Sequence, residues 1–241
     1  KPDLVWHSGK LRARQTAEAF WRACNDEGTV ALRPDDASAR EVLLARCARM
    51  ERCEKVPVDE CKKAGDTLGG VVEVVATGLP PGLGSHVHWD RKLDALLAQA
   101  VMSIQAVKGV EIGDGFEVAG RRGSQAHDPI EWDASTNSYR RLSALAGGTE
   151  GGMTTGEPVI VRAAMKPLAT LNRPTLQTVD VVTKESTVSF KERTDVTAVP
   201  AMGVVAETMV ALVLVAEAQR KFGGDSVAEF QRNCTSFLGT L

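Results

Sequence analysis

Apolar residues recur along this chain in two periods, one helical and one strand-like, and their succession sets out the elements. From Lys10 to Arg22, and again from Arg40 to Lys55, the spacing predicts helices, the second with Val42, Leu43, Leu44 and Met50 as its apolar stripe. The polar stretch Asp26 to Ser38 contains Pro34 and predicts a loop between them. Gly69 to Thr77 is a run of valines bounded by glycines, which suits a buried strand, and Gly78 to Gly84, with Pro80 and Pro81, ends it. Leu93, Leu96, Leu97, Val101, Ile104 and Val107 follow at helical spacing, with Asp90 as the expected N-cap and Gly109 as the expected stop. A further helix is predicted from Gly203 to Phe222, lined by Val205, Met209, Leu212, Val213 and Ala216 and closed by Gly223 and Gly224. Val159 to Ala164, Val179 to Thr183 and Thr187 to Phe190 read as strands, the last two joined through Lys184 and Glu185. Helices and strands are grouped rather than regularly alternating, so the expected class is α+β.

Composition narrows the function more than the fold. A chain of 241 residues with 43% hydrophobic and 25% charged side chains is an ordinary globular chain of one or two domains. A net charge of -2 gives no electrostatic case for nucleic acid, and 5% aromatic residues offer few stacking platforms. The longest apolar run, Met209 to Ala216, is too short to cross a bilayer, so no membrane is expected. Lys1-Pro2-Asp3 opens no signal-peptide pattern. Five cysteines at irregular spacing, none in a C-x2-C pair, argue against a disulfide framework or a zinc site and for reduced thiols in a cytosolic protein.

Four blocks have residues suited to chemistry. Ser85 to Phe116 carries Gln105 and Lys108 towards the end of its predicted helix, where they either face a ligand or decorate a core helix. Within it His86 and His88 would share one face of a strand, as a metal pair or as solvated histidines. Arg121 and Arg122 precede a small polar turn through His127 and Asp128, which is either an anion contact or a solvated loop. Gly147-Gly148-Thr149-Glu150-Gly151-Gly152 lets backbone approach a ligand closely, and Lys166-Pro167-Leu168-Ala169-Thr170 follows it. Arg193-Thr194-Asp195-Val196 adds a cation and a carboxylate two residues apart, which is otherwise a surface ion pair. Backbone donors with Lys166 and Arg193 suit an anion, and Asp195 is a candidate proton acceptor.

In their order and wording, the residues from Gly147 to Glu207 closely resemble chorismate synthases, the last enzymes of the shikimate pathway. Residues 63–238 follow the family, and residues 1–62 diverge from it within what reads as one domain, 1–241. The resemblance implies a β-α-β sandwich fold and a cytoplasmic homotetramer. It implies a lyase that converts 5-enolpyruvylshikimate 3-phosphate into chorismate by 1,4-elimination of phosphate, using reduced FMN, with NADP as an associated nucleotide. It further implies that Gln105, Ala106, Gly151, Lys166, Pro167, Leu168, Ala169, Thr170 and Arg193 serve the FMN site. By the same resemblance Asp195 takes a proton relayed through flavin N5, Arg14 binds substrate, and the loop Arg121 to Asp128 lies near the active site.

The departures are equally specific. Arg14-Gln15-Thr16-Ala17 stands where the family has Ser-Ala-Arg-Glu-Thr-Ala, with Arg12 at the serine position and Gln15 at the glutamate. Ser143-Ala144-Leu145-Ala146 replaces the usual Asn-Arg pair. The family's Gly-Glu-Ser-His-Gly and Gly-His-Ala-Asp segments, whose histidines protonate the leaving phosphate and the flavin, have no counterpart among the four histidines here. The expectation is a chorismate synthase sequence that begins partway through the protein. The alternative is a non-catalytic flavin- or anion-binding relic of the same scaffold.

Overall fold

A computed structural model describes residues 44–51, by their backbone, and residues 58–241 apart from 136. In chain order the elements are β1 (Leu44–Glu51), α1 (Val58–Ala64), β2 (Gly70–Thr77), α2 (Leu93–Met102), β3 (Val107–Ile112), α3 (Gly115–Val118), β4 (Ile130–Asp133) and β5 (Ser138–Arg141). There follow β6 (Thr149–Glu150), β7 (Met153–Thr154), β8 (Val159–Met165), β9 (Gln177–Val179), β10 (Ser186–Val188), α4 (Val199–Phe222) and α5 (Val227–Leu238). The predicted helix Lys10 to Arg22, the loop Asp26 to Ser38 and the candidate residue Arg14 lie outside the described residues.

The centre is a four-stranded antiparallel sheet in the order β1-β2-β8-β3. Along β2 and β8 side chains alternate between the two faces, as the pleat requires. Val72, Val74, Ala76, Val159, Val161 and Ala163 are buried on the inner face. Two helices cover that face: α2 inserts Leu93, Leu97 and Val101, and α4 inserts Met202, Ala206, Val210, Leu214 and Ala218 at four-residue spacing. The outer face carries a charge ladder in which Arg162 of β8 meets Glu73 of β2 at 3.1 Å, with Glu111 and Asp114 each 3.5 Å from its guanidinium. Helix α5, N-capped by Ser226 through the Glu229 amide, packs Phe230 and Phe237 against Phe222.

Several expectations from periodicity are corrected. Arg40 to Lys55, expected as a helix, contains strand β1, because pairing along the edge of β2 outweighs local helical preference. The helix expected to run to Gly109 stops at Met102, and Val107 already belongs to β3; the apolar spacing carries across the boundary because helix and strand both bury that side. Asp90 lies in a 3₁₀ turn, Trp89–Arg91, and α2 begins behind Lys92 with no side-chain cap. His86 and His88 lie in a loop rather than on a strand. The hairpin strands are shorter and lie earlier than expected, with only Val179 of the expected Val179 to Thr183 in a strand, since Asp180 accepts from the Val182 and Thr183 amides and builds the turn there. Helix α4 begins earlier, at Val199, with Pro200 in its first turn, where proline is tolerated. The predicted strands Gly69–Thr77 and Val159–Ala164 are found almost as read.

At 24 residues α4 is long and apolar enough, by length and composition, to cross a membrane, unlike the short run read from Met209 to Ala216. In this domain its inner stripe is buried on the sheet, while Val205 and Leu212 are exposed. Leu97 has no exposed surface, so Leu97→Ala should lower the unfolding free energy by about 2–5 kcal/mol, read by chemical denaturation.

Candidate functional site

Strands β2 and β3 begin, and β8 ends, at one edge of the sheet: Gly70 and Val107 both pair with Met165. The loops entering and leaving there are therefore forced together. Ala106, just before β3, adopts φ 66, a left-handed backbone rarely used by a residue with a Cβ, and its carbonyl accepts from the Lys166 amide at 2.9 Å. Gly69, just before β2, lies under the same loop, where an added Cβ would sit 2.3 Å from the Met165 carbonyl. The Leu168 carbonyl accepts from the Thr67 hydroxyl at 2.6 Å. The Thr170 and Thr194 hydroxyls are 3.0 Å apart, and the Glu192 amide donates to Leu171, drawing Arg193 to Asp195 against the loop.

One edge thus gathers Gln105, Ala106, Lys166, Pro167, Leu168, Ala169, Thr170, Arg193 and Asp195. Lys166, Arg193 and Asp195 are exposed, and among the described residues none of their side chains has a hydrogen-bond or ion-pair partner. Two uncommitted cations and a turn of open backbone suit a phosphate-bearing ligand, so this donor set fits a flavin mononucleotide.

Gly151 does not join them. It is the exposed turn of the β6–β7 hairpin, at φ 60 with open space around it. That hairpin lies at the opposite end of β8, about 20 Å from Lys166 at the usual rise per strand residue. The loop Arg121 to Asp128 is at that far end too. Arg121 is committed to Asp114 and, at 2.8 Å, to Glu117, and its pKa is raised by those bonds, Asp114 first; Arg122 and His127 are exposed. The His86–His88 loop is also there, around an open depression of about 450 Å³ lined by Ser85, Val87, His88, Asp90 and Arg91. His88 is 3.5 Å from Asp90, and among the described residues no group of three potential ligands could hold a metal.

Sequence reasoning missed Thr67 altogether and read Asp128 only as part of a polar turn. Asp128 is buried and accepts from the Ser143 hydroxyl and the Leu145 and Ala146 amides. The segment that departs from the family's Asn-Arg pair is thus tied down by one carboxylate, which shapes the approach to Gly147. Burial alone would raise the Asp128 pKa, but the Ser143, Ala146 and Leu145 hydrogen bonds and the nearby Arg141 charge outweigh it and hold it below the ordinary value.

Comparison with known proteins places the chain in a family. The family model for chorismate synthase matches residues 23–218. This chain belongs to the chorismate synthase family. The chorismate synthase of Thermobifida fusca is 58% identical over 210 residues, covering 86% of this chain and 53% of its own length. That of Acidothermus cellulolyticus is 61% identical over 184 residues, covering 76% of this chain and 46% of its own. A crystal structure of chorismate synthase superposes with a TM-score of 0.63 at 45% identity, covering 76% of this chain and 46% of that one. The chain spans about half the length of the curated relatives it matches.

Because the folded-state pKa of Asp128 is depressed, its contribution to stability is present above the unfolded carboxylate value, near pH 4, and is lost as pH falls through the lower folded value. Asp128→Asn turns an amide against the Ala146 N–H and should cost roughly 1–3 kcal/mol at pH 7. Urea unfolding followed from pH 7 to 2 should show a shallower acid dependence in the variant than in the wild type.

Proposed function

We propose that this chain is the part of a chorismate synthase that holds reduced FMN, and that with it the protein eliminates phosphate from 5-enolpyruvylshikimate 3-phosphate to give chorismate. The observation that carries this reading is the single edge at which Lys166 and Arg193, both uncommitted, stand beside the Ala106 turn and Asp195. In the reaction a ring C–H bond and the C–O bond to phosphate break, a second ring double bond forms, and inorganic phosphate leaves, with no net redox change. Reduced FMN, when bound, supplies transient electron density to that elimination.

The residues have separable tasks. Lys166 and Arg193 would supply the cations for the flavin phosphate, and the backbone from Pro167 to Thr170, with Gln105 and Ala106, would hold the rest of the flavin. Asp195 is an exposed carboxylate held next to them by the Thr170–Thr194 contact, suited to accept the proton that the substrate loses. Arg14 takes the substrate's anionic groups in this reading, while Gly151, on the far hairpin, stands apart from this edge. A cytoplasmic homotetramer and a lyase of aromatic amino acid biosynthesis are the family setting that goes with it, with NADP as associated nucleotide.

Asp195→Asn should leave flavin binding nearly intact and cut anaerobic turnover with chemically reduced FMN by about a hundredfold or more; unchanged turnover removes Asp195 from the reaction. Lys166→Ala should weaken FMN more than riboflavin in equilibrium titrations, and equal losses would refute a phosphate contact. Flavin binding by the wild-type chain with no chorismate formed under any condition would favour the non-catalytic relic.

A further inference from the structure

We propose that Thr67 is a positioning residue that holds the Lys166–Thr170 loop, and through it Asp195, in the geometry that binds the flavin phosphate; this rests on the flavin reading above. Thr67 is 6% exposed, and its hydroxyl reaches 101 positions along the chain to donate to the Leu168 carbonyl at 2.6 Å. That carbonyl sits in the middle of the loop, which has no amide donor at Pro167. Among the described residues the other anchors of the loop are at its ends, the Lys166 amide on Ala106 and the Thr170 hydroxyl on Thr194.

Thr67 is itself fixed. Its amide donates to Asp66 Oδ1 at 2.8 Å, and the other oxygen of Asp66 holds Arg173 at 2.9 Å. On one side the Gly65 carbonyl accepts from Asn172; on the other the Leu68 amide donates to Val196 at 2.7 Å, one residue beyond Asp195. Within the run 65–69, Thr67 and Gly69 therefore meet the Lys166–Thr170 loop, Leu68 meets Val196, and Gly65 and Asp66 tie down Asn172 and Arg173 just after the loop. Thr67 supplies the one side-chain bond from this run to the loop's centre among the described residues. A loop that must present a lysine and open backbone to one phosphate binds better when that geometry exists before the ligand arrives.

Thr67→Val keeps the shape and removes the hydroxyl, leaving the Leu168 carbonyl without its donor, whereas Thr67→Ser keeps the donor. Fluorescence-quench titrations of the full chain with FMN and with riboflavin should show Thr67→Val weakening FMN about tenfold and riboflavin less than about threefold, with Thr67→Ser within about twofold of wild type for both. Amide hydrogen exchange without flavin should show faster exchange at Leu168 to Leu171 and at Thr194 to Val196 in Thr67→Val only. FMN affinity and exchange unchanged in Thr67→Val would overturn the proposal. So would equal loss of both flavins in the valine and serine variants together with a lower thermal midpoint, which is the mark of a purely structural threonine. If the wild-type chain binds neither flavin, the functional reading fails, and the exchange pattern still decides whether Thr67 positions the loop.

Discussion

The register of β8 between β2 and β3 is the constraint on which everything else rests. In an antiparallel sheet the starts of the two outer strands and the end of the central one fall at the same level. Met165 is opposite both Gly70 and Val107, so the turn at Ala106, the run Thr67 to Gly69 and the loop from Lys166 have no choice but to meet. A one-residue slip between β2 and β8 would turn either Val72 and Val74 or Val159 and Val161 away from the helices, and burial of those valines forbids it. The hydrophobic core and the candidate site are thus two consequences of one alignment.

The helices transmit the same constraint to the Arg193–Asp195 segment. Helix α4 lies along the sheet because its four-residue stripe from Met202 to Ala218 matches the buried face, and its start is pinned where the Leu68 amide reaches Val196. Asp195 precedes that start by a few residues, so its height above the sheet edge is set by α4 packing as well as by the Thr170–Thr194 contact. Its far end is fixed by Glu217, buried and bonded to Arg220, which in turn reaches the Gly84 carbonyl.

Much of this was legible in the sequence where one local rule dominated. The valine runs of β2 and β8 admit few readings other than buried strands, and the blocks around Lys166 and Arg193 stand out through their wording. Legibility failed where two rules compete. Leu93 to Val107 keeps helical spacing across a true boundary, and the four-residue turn from Ser103 to Ala106, whose left-handed Ala106 is invisible in a residue type that usually avoids it, separates α2 from β3. Leu44 to Glu51 has the residues of a helix and becomes a strand because β2 offers an edge. Thr67 and Asp128 could not be found by spacing at all: each is a single polar residue whose partners lie far along the chain, or turn around it, and only the fold brings them together.

What sets the near end apart is two cations without a carboxylate partner among the described residues, Lys166 and Arg193, brought together beside an open carboxylate. At the far end Arg121 is held by Asp114 and Glu117 and Arg141 by Glu150, and at mid-strand Arg162 lies among Glu73, Glu111 and Asp114, while Arg91 and Arg122 are exposed. Such half-exposed pairs add little stability each, on the order of 0–1 kcal/mol, but they cancel the charge an incoming phosphate would seek. At the near end Lys166 and Arg193 have no such partner among the described residues, and the carboxylate beside them, Asp195, is left open rather than folded onto either. Cations that hold a fold and cations that bind a ligand are the same side chains; what separates them is whether a carboxylate already occupies them. A cleft that kept Lys166 and Arg193 paired would be more stable in isolation and a poorer phosphate site, so their lack of partners is itself the feature that favours binding.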